Sequence, residues 1–167
     1  MRSPSFLPFR AVSVSISIQT GDFDLGAELA ELRAGSAKAG ALVSFVGLVR
    51  DFIGAGKIDN ITLEHYPGMS EKALEKISAE ANQRWRLLGV RIIHRVGTLL
   101  PNEQIVLVAT ASEHRSDAFA ACEFIMDYLK TSAPFWKREQ TAQGTEWLGT
   151  KDSDMQRAER WRNGETT

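Results

Sequence analysis

Ser116-Asp-Ala-Phe-Ala-Ala-Cys-Glu-Phe-Ile-Met-Asp-Tyr-Leu-Lys-Thr131 and the following Ser132-Ala-Pro-Phe-Trp-Lys-Arg-Glu-Gln-Thr141 mark a change of periodicity from helix to strand. In the first segment Phe119, Cys122, Ile125, Met126 and Leu129 recur at helical spacing and predict one apolar face. Pro134 stops that helix, because proline removes a backbone donor and its ring clashes with the preceding turn. Phe135 to Thr141 then alternates. That period puts Phe135, Lys137 and Glu139 on one face of a strand, with Trp136 and Arg138 on the other. Gln143-Gly144 offers a turn into a further strand at Glu146-Trp-Leu148, and a last helix is predicted from Ser153 to about Trp161.

Upstream, Val12 to Ile18 alternates apolar residues with serine and predicts a half-buried strand. Asp22 or Asp24 is positioned to cap a short helix running to Arg33 and closed by Gly35. Gly40 to Val49 is apolar enough for a central strand, and Asp51 to Gly56 is predicted to be a mobile glycine loop. Ile58 to Tyr66 predicts another strand, ended by Pro67-Gly68. Ser70 is the expected N-cap of a long helix whose Ala73, Leu74, Ile77, Ala81 and Trp85 form one stripe. Val90 to Val96 and Gln104 to Thr110 predict a hairpin around Pro101-Asn102. With no repeat, linker or low-complexity segment, the reading is one α+β domain over residues 1–167, with flexible ends at 1–10 and 163–167.

The 167 residues are 43% hydrophobic and 25% charged, an ordinary globular balance. A net charge of -1 gives no reason to expect nucleic acid or an anionic membrane as a partner. The single cysteine, Cys122, excludes an internal disulfide and a multi-thiolate zinc site, and reads as a small buried helix residue. No apolar run reaches the roughly 18 residues a bilayer span requires, so a cytoplasmic protein is expected. Metal-binding, nucleotide-binding and serine-hydrolase signatures are lacking, and neither metal nor organic cofactor is expected.

The chemistry-bearing residues fall in three segments. Ser112-Glu-His-Arg-Ser116 lies where a strand gives way to a helix, so free backbone N–H groups, His114 and Arg115 could together hold an anion, or could simply end the strand in solvent. Lys130 lies at a helix C-terminus, where a cation is favoured in any case. Lys137 is drawn toward a partly buried pocket if Phe135 packs inward. If the two lysines face each other, each lowers the other's pKa. An unperturbed lysine is neutral in only about one molecule in 2,500 at pH 7, so a modest depression greatly raises its nucleophilic fraction. The same pair left protonated would bind phosphate or an oxyanion instead. Arg50, following Leu48 and Val49 at a strand end, could grip phosphate or lie solvated. His65 and His94 fall inside strand patterns and read as structural.

Taken together, Phe45-Val-Gly-Leu-Val-Arg50, Leu63-Glu-His-Tyr-Pro-Gly-Met69, Ile93-His-Arg-Val-Gly97, His114-Arg115 and the run Phe124 to Glu139 resemble the catalytic, large-subunit family of molybdopterin synthase. The resemblance runs from about Val14 to Trp161. It implies an α/β hammerhead with an additional small antiparallel β-sheet. It also implies a homodimer that binds one small ubiquitin-like subunit at each end, giving a heterotetramer. That subunit's C-terminal thiocarboxylate would donate two sulfurs to cyclic pyranopterin monophosphate, making the molybdopterin dithiolene of the molybdenum cofactor. By position, Lys130 and Lys137 match the essential lysines. Leu48, Val49 and Arg50 match a substrate-binding strand end, His114 and Arg115 the phosphate-holding pair, and Arg138 and Glu139 the pocket wall. Lys151 matches a basic position that reaches a neighbouring subunit's site. The competing readings are a non-enzymatic module that binds a protein C-terminus or a phosphorylated ligand, and an unrelated phosphate-ligand lyase using Lys137 and Glu139.

Overall fold

The computed structural model describes residues 12–53, 56–162 and 164. The expectations for the ends 1–10 and 163–167 therefore lie outside the described residues, apart from Gly164. In chain order the elements are β1 (Ser13–Gln19), α1 (Leu25–Ala34), β2 (Ala41–Leu48), β3 (Phe52–Ile53), β4 (Gly56–His65), α2 (Met69–Arg84), β5 (Leu87–Arg95), β6 (Gly97–Leu99), β7 (Gln104–Ser112), α3 (Arg115–Thr131), β8 (Phe135–Thr141), β9 (Gly144–Leu148) and α4 (Asp152–Glu159). They build two sheets, an α+β arrangement of the kind the hammerhead reading implies.

The first sheet has the order β1-β5-β7-β2, with β1 parallel to β5 and the other pairs antiparallel. Its central strands are apolar on both faces because helices cover both. Val90, Ile92 and Val108 point to one side and pack with Leu74, Ile77, Phe124 and Ile125 of α2 and α3. Ile93, Leu107 and Ala109 point to the other, where Phe23 and the Leu25, Leu29 and Leu32 side of α1 close over them. Asp24 caps α1 by accepting the Ala27 N–H at 2.8 Å, as the sequence predicts.

In the second sheet β4 lies between β6 and β8, β8 continues to β9, and β3 pairs with the start of β4. Ile58, Ile61, Leu63 and Leu99 form its small core together with Val49, which precedes Arg50. Gly144 turns β8 into β9 at φ 131, a left-handed value that favours glycine.

Four expectations are corrected. The helix start at Ser70 moves to Gly68, whose φ of 83 and N–H bond to the Glu71 carboxylate at 2.6 Å begin α2 two residues earlier. Ser70 is instead fully buried, its hydroxyl donating to the Pro134 carbonyl at 2.9 Å and accepting the Tyr66 N–H at 3.0 Å. Phe119 does not join the buried stripe of α3: it is 63% exposed. Part of the segment read as a glycine loop is strand, with Phe52 opposite Lys57. The hairpin of β5 and β7 also carries an extra strand, β6, which leaves the first sheet to pair with β4.

Candidate active site

The end of α3 and the start of β8 are fixed by packing. The Ser132 N–H closes the helix on the Tyr128 carbonyl at 2.8 Å, and the chain reverses through Pro134, which Ser70 holds. Phe135 then stacks on the His94 ring, centroids 3.8 Å apart and planes within 12°. With that residue set inward, the two-residue period brings Lys137 and Glu139 to the same face. There they stand opposite Leu63 and Ile61 of β4, above the small core that contains Val49.

Arg50 is held from both sides. The Val49 N–H donates to the Glu103 carbonyl at 2.9 Å, the Val49 carbonyl accepts from Asn102 at 2.8 Å, and the Asp51 carbonyl accepts from Ile58 at 2.8 Å. The Arg50 side chain is exposed and has no ion-pair partner among the described residues. Leu48 beside it is 49% exposed, whereas Val49 is buried.

Glu139 is buried and its Oε1 lies 2.8 Å from the Lys137 ammonium. That contact has the distance of an ion pair without the angle of a hydrogen bond, so Oε1 has no hydrogen-bond partner among the described residues. A buried carboxylate so placed depends on its neighbour's positive charge. At Lys130, partial burial of the ammonium pushes its pKa down. Asp154 opposes this, while Lys137, Lys151 and Arg50 push further down. The charges of Arg50 at the β2 end, Lys137 of β8 and Lys151 at the start of α4 thus all bear on Lys130 at the end of α3 within a single protomer. An anion is the natural guest of such a cluster, and a lysine biased toward its neutral form there can also release a proton.

His94 is buried, and its Nδ1 faces the Arg95 carbonyl at 2.8 Å, which requires that nitrogen to carry the proton. Burial brings its pKa down to about 4, with Lys130 and His65 pushing the same way. His65 lies 3.9 Å from Glu71. Burial pushes the Cys122 thiol up to about 12, so it stays protonated. Among the described residues no group of three or more His, Cys, Asp or Glu side chains could hold a metal ion, and no helix is long and apolar enough to cross a membrane.

Two expected members of the cluster stand apart. His114 and Arg115 begin α3, exposed and without side-chain caps, whereas Lys130 ends it. Seventeen residues at 1.5 Å rise put the two ends about 24 Å apart. One protomer does not join Arg50, His114 and Lys137 in a common cavity. Arg138 is on the face of β8 opposite Lys137, its guanidinium 5.2 Å over the Trp147 ring, in a polar hollow of about 250 Å³ shared with Asn60, Thr62, Gln140 and Thr145. A wider concavity of about 420 Å³ between β1 and α2, lined by Val12, Val14, Ile16 and Ala79 among others, has no cation among its described lining residues and does not include Lys130 or Lys137. Nothing in the local sequence marks Asp154, whose charge acts on Lys130 only once α4 has folded back on α3.

The MoaE protein family model matches residues 18–132. A molybdopterin synthase catalytic subunit from Ralstonia nicotianae is 57% identical over 147 residues, 88% of this chain and 84% of that protein. The structure superposes on a molybdopterin biosynthesis MoaE protein from Burkholderia ambifaria MC40-6 with a TM-score of 0.75 at 55% identity, covering 91% of this chain and 99% of the other. A molybdopterin synthase structure from Staphylococcus aureus gives 0.74 at 31% identity, over 80% and 96% of the two chains. With a family model spanning most of the first sheet and all of α3, and relatives matched over 84% to 99% of their length, this chain belongs to the MoaE protein family.

Proposed function

We propose that the chain is the catalytic subunit of a molybdopterin synthase, moving two sulfurs from the C-terminal thiocarboxylate of a small ubiquitin-like subunit onto cyclic pyranopterin monophosphate. The observation that carries this reading is the gathering of Lys130, Lys137, Arg50 and Lys151 around one spot. A thiocarboxylate, a phosphate and the charge that develops during sulfur transfer are all negative, and cations fixed in advance stabilise them without reorganising. Arg50 would grip the substrate. Lys137 and Lys130 would neutralise charge and shuttle protons as the thiocarboxylate sulfur displaces an oxygen at a side-chain carbon of the pyran ring. Water then hydrolyses the acyl–sulfur bond, so that the small subunit leaves as its carboxylate and the sulfur stays on the substrate. A second small subunit brings the second sulfur. The chemistry as written needs no metal or organic cofactor, and the cytoplasm is the compartment it implies.

The phosphate-holding pair would come from a second copy of the chain, since one copy separates His114 and Arg115 from its own lysines by the length of α3. Phe119, 63% exposed one helical turn beyond Arg115, and Phe45, 41% exposed on the neighbouring edge strand β2, offer the apolar anchor for such a homodimer. Arg138 and Glu139 would form the wall of the site, the first from the opposite face of β8 and the second by holding Lys137.

The test is conversion of cyclic pyranopterin monophosphate to the dithiolene by the purified chain with a thiocarboxylated small subunit. Lys137→Arg keeps a positive charge beside Glu139 but cannot release a proton at neutral pH, and turnover is expected to fall at least about a hundredfold with the fold retained. No product from the unaltered chain removes the reading, and full activity in the arginine variant removes Lys137 from proton transfer.

A further inference from the structure

The C-terminal helix is tied to α3 by a dock that the sulfur-transfer chemistry does not use. Asp127, three residues before Lys130, accepts hydrogen bonds through one oxygen from the Trp161 indole at 2.7 Å and from Arg160 at 3.0 Å. Arg160 also meets Glu123, one turn earlier on α3, at 2.5 Å. Two carboxylates on one helix face thus grip a single guanidinium. Trp161 is buried, edge-on to Trp85 at 5.6 Å and to Phe124 at 5.5 Å, and Arg84 donates to its carbonyl at 2.9 Å. An indole so buried needs a partner for its N–H, and Asp127 supplies it.

The dock sets how α4 lies. Within α4 only Asp154 and Ala158 are half-buried, and the other positions are exposed. Being one turn apart, they mark the face laid on α3. Arg160 and Trp161 lie against Glu123 and Asp127, while Ala158 shares a hollow with Tyr128, Thr131 and Ser132. α4 therefore runs antiparallel to α3, and Asp154, one turn before Ala158, falls toward the end of α3 that carries Lys130. The remaining charged groups acting on that lysine are Lys137 of β8, Lys151 at the start of α4, and Arg50, all positive. We infer that Asp154 is the counter-ion of Lys130 and that Asp127 is the positioning residue that keeps it there, by docking the chain end onto α3. Losing Asp154 leaves three cations unopposed around Lys130, which favours the neutral amine.

The role of Lys130 in turnover rests on the function proposed above, so the test reads the lysine itself. The full chain, labelled with ¹³C- and ¹⁵N-lysine and with Lys130 assigned through Lys130→Arg, is titrated by NMR. Asp154→Asn is expected to lower the Lys130 midpoint in the parent chain and to have little effect in an Asp127→Asn background, where α4 is no longer held. An unchanged midpoint in Asp154→Asn overturns the counter-ion, and an equal fall in both backgrounds overturns the positioning by Asp127. Where Asp127→Asn does not fold, Arg160→Gln loosens the same dock from the α4 side and replaces it. These outcomes are independent of product formation, so a chain without turnover that still shows the pattern sinks only the functional reading.

Discussion

The two sheets bury their inner surfaces under different rules. In the first, β5 and β7 present Val90, Ile92, Ile93, Leu107 and Val108 to helices on both sides, and the burial is apolar and dense. In the second, β4 supplies Ile61 and Leu63, but the facing positions of β8 are Lys137 and Glu139. Desolvating ions costs several kcal/mol, and a buried pair is seldom a net gain in stability. Such a pair in place of two aliphatic residues is understandable as chemistry rather than as glue. The first sheet carries the stability of the molecule, and the second spends part of its own on a charged surface.

The largest effect that separates the two is expected at Leu107, which is fully buried. Leu107→Ala should cost about 3 to 4 kcal/mol by urea denaturation, with turnover per folded molecule unchanged. A loss of turnover larger than the loss of folded protein would break the division. Next comes His94, which belongs to β5 yet stacks on Phe135 of β8 and so stands at the seam. Its folded pKa is depressed to about 4 from 6.5. The unfolded chain therefore takes up a proton as pH falls through 6.5, while the folded chain does so only near 4. The stability from neutral His94 is fully present above 6.5 and lost on acidification between those values, about 3 kcal/mol in all. Urea midpoints measured across that range check it, and a chain equally stable at both limits would place the imidazole in water.

The smallest of the three effects sharpens the contrast most. Lys137→Ala leaves the Glu139 carboxylate buried without its counter-charge and should destabilise the fold by about 2 kcal/mol, less than for a fully buried pair because the lysine is 34% exposed. Adding Glu139→Gln should recover most of that loss without recovering turnover. Thermal denaturation of the single and double variants measures it; additive losses would show that the two residues do not interact.

Much of the fold is legible in the sequence because its signals are local. The serine alternation of β1, the Asp24 cap, Pro134 as helix stop and the inward Phe135-Lys137-Glu139 face are all decided within a few residues. What escapes local reading depends on partners. β6 is three residues long and is a strand only because β4 offers an edge. Ser70 resembles a cap, but Pro134, 64 positions away, takes its hydroxyl. Phe119 has the spacing of a core residue, yet α3 turns it to solvent. At the site, the charges of Arg50 and Lys137, remote from Lys130 in sequence or on another element, bear on it only through the fold. Lys151 acts on Lys130 of its own chain. The separation of His114 from the lysines was contained in the length of the predicted helix, since each residue adds a fixed rise.

That length has a genetic consequence. If α3 offers its first turn to one reaction centre and its last turn to another, a defect at either end is felt in a different copy's chemistry. Two inactive alleles, one altered at His114 and one at Lys137, would then complement when co-expressed. Half of randomly paired dimers would be mixed, each with one of its two centres intact, restoring about a quarter of normal flux.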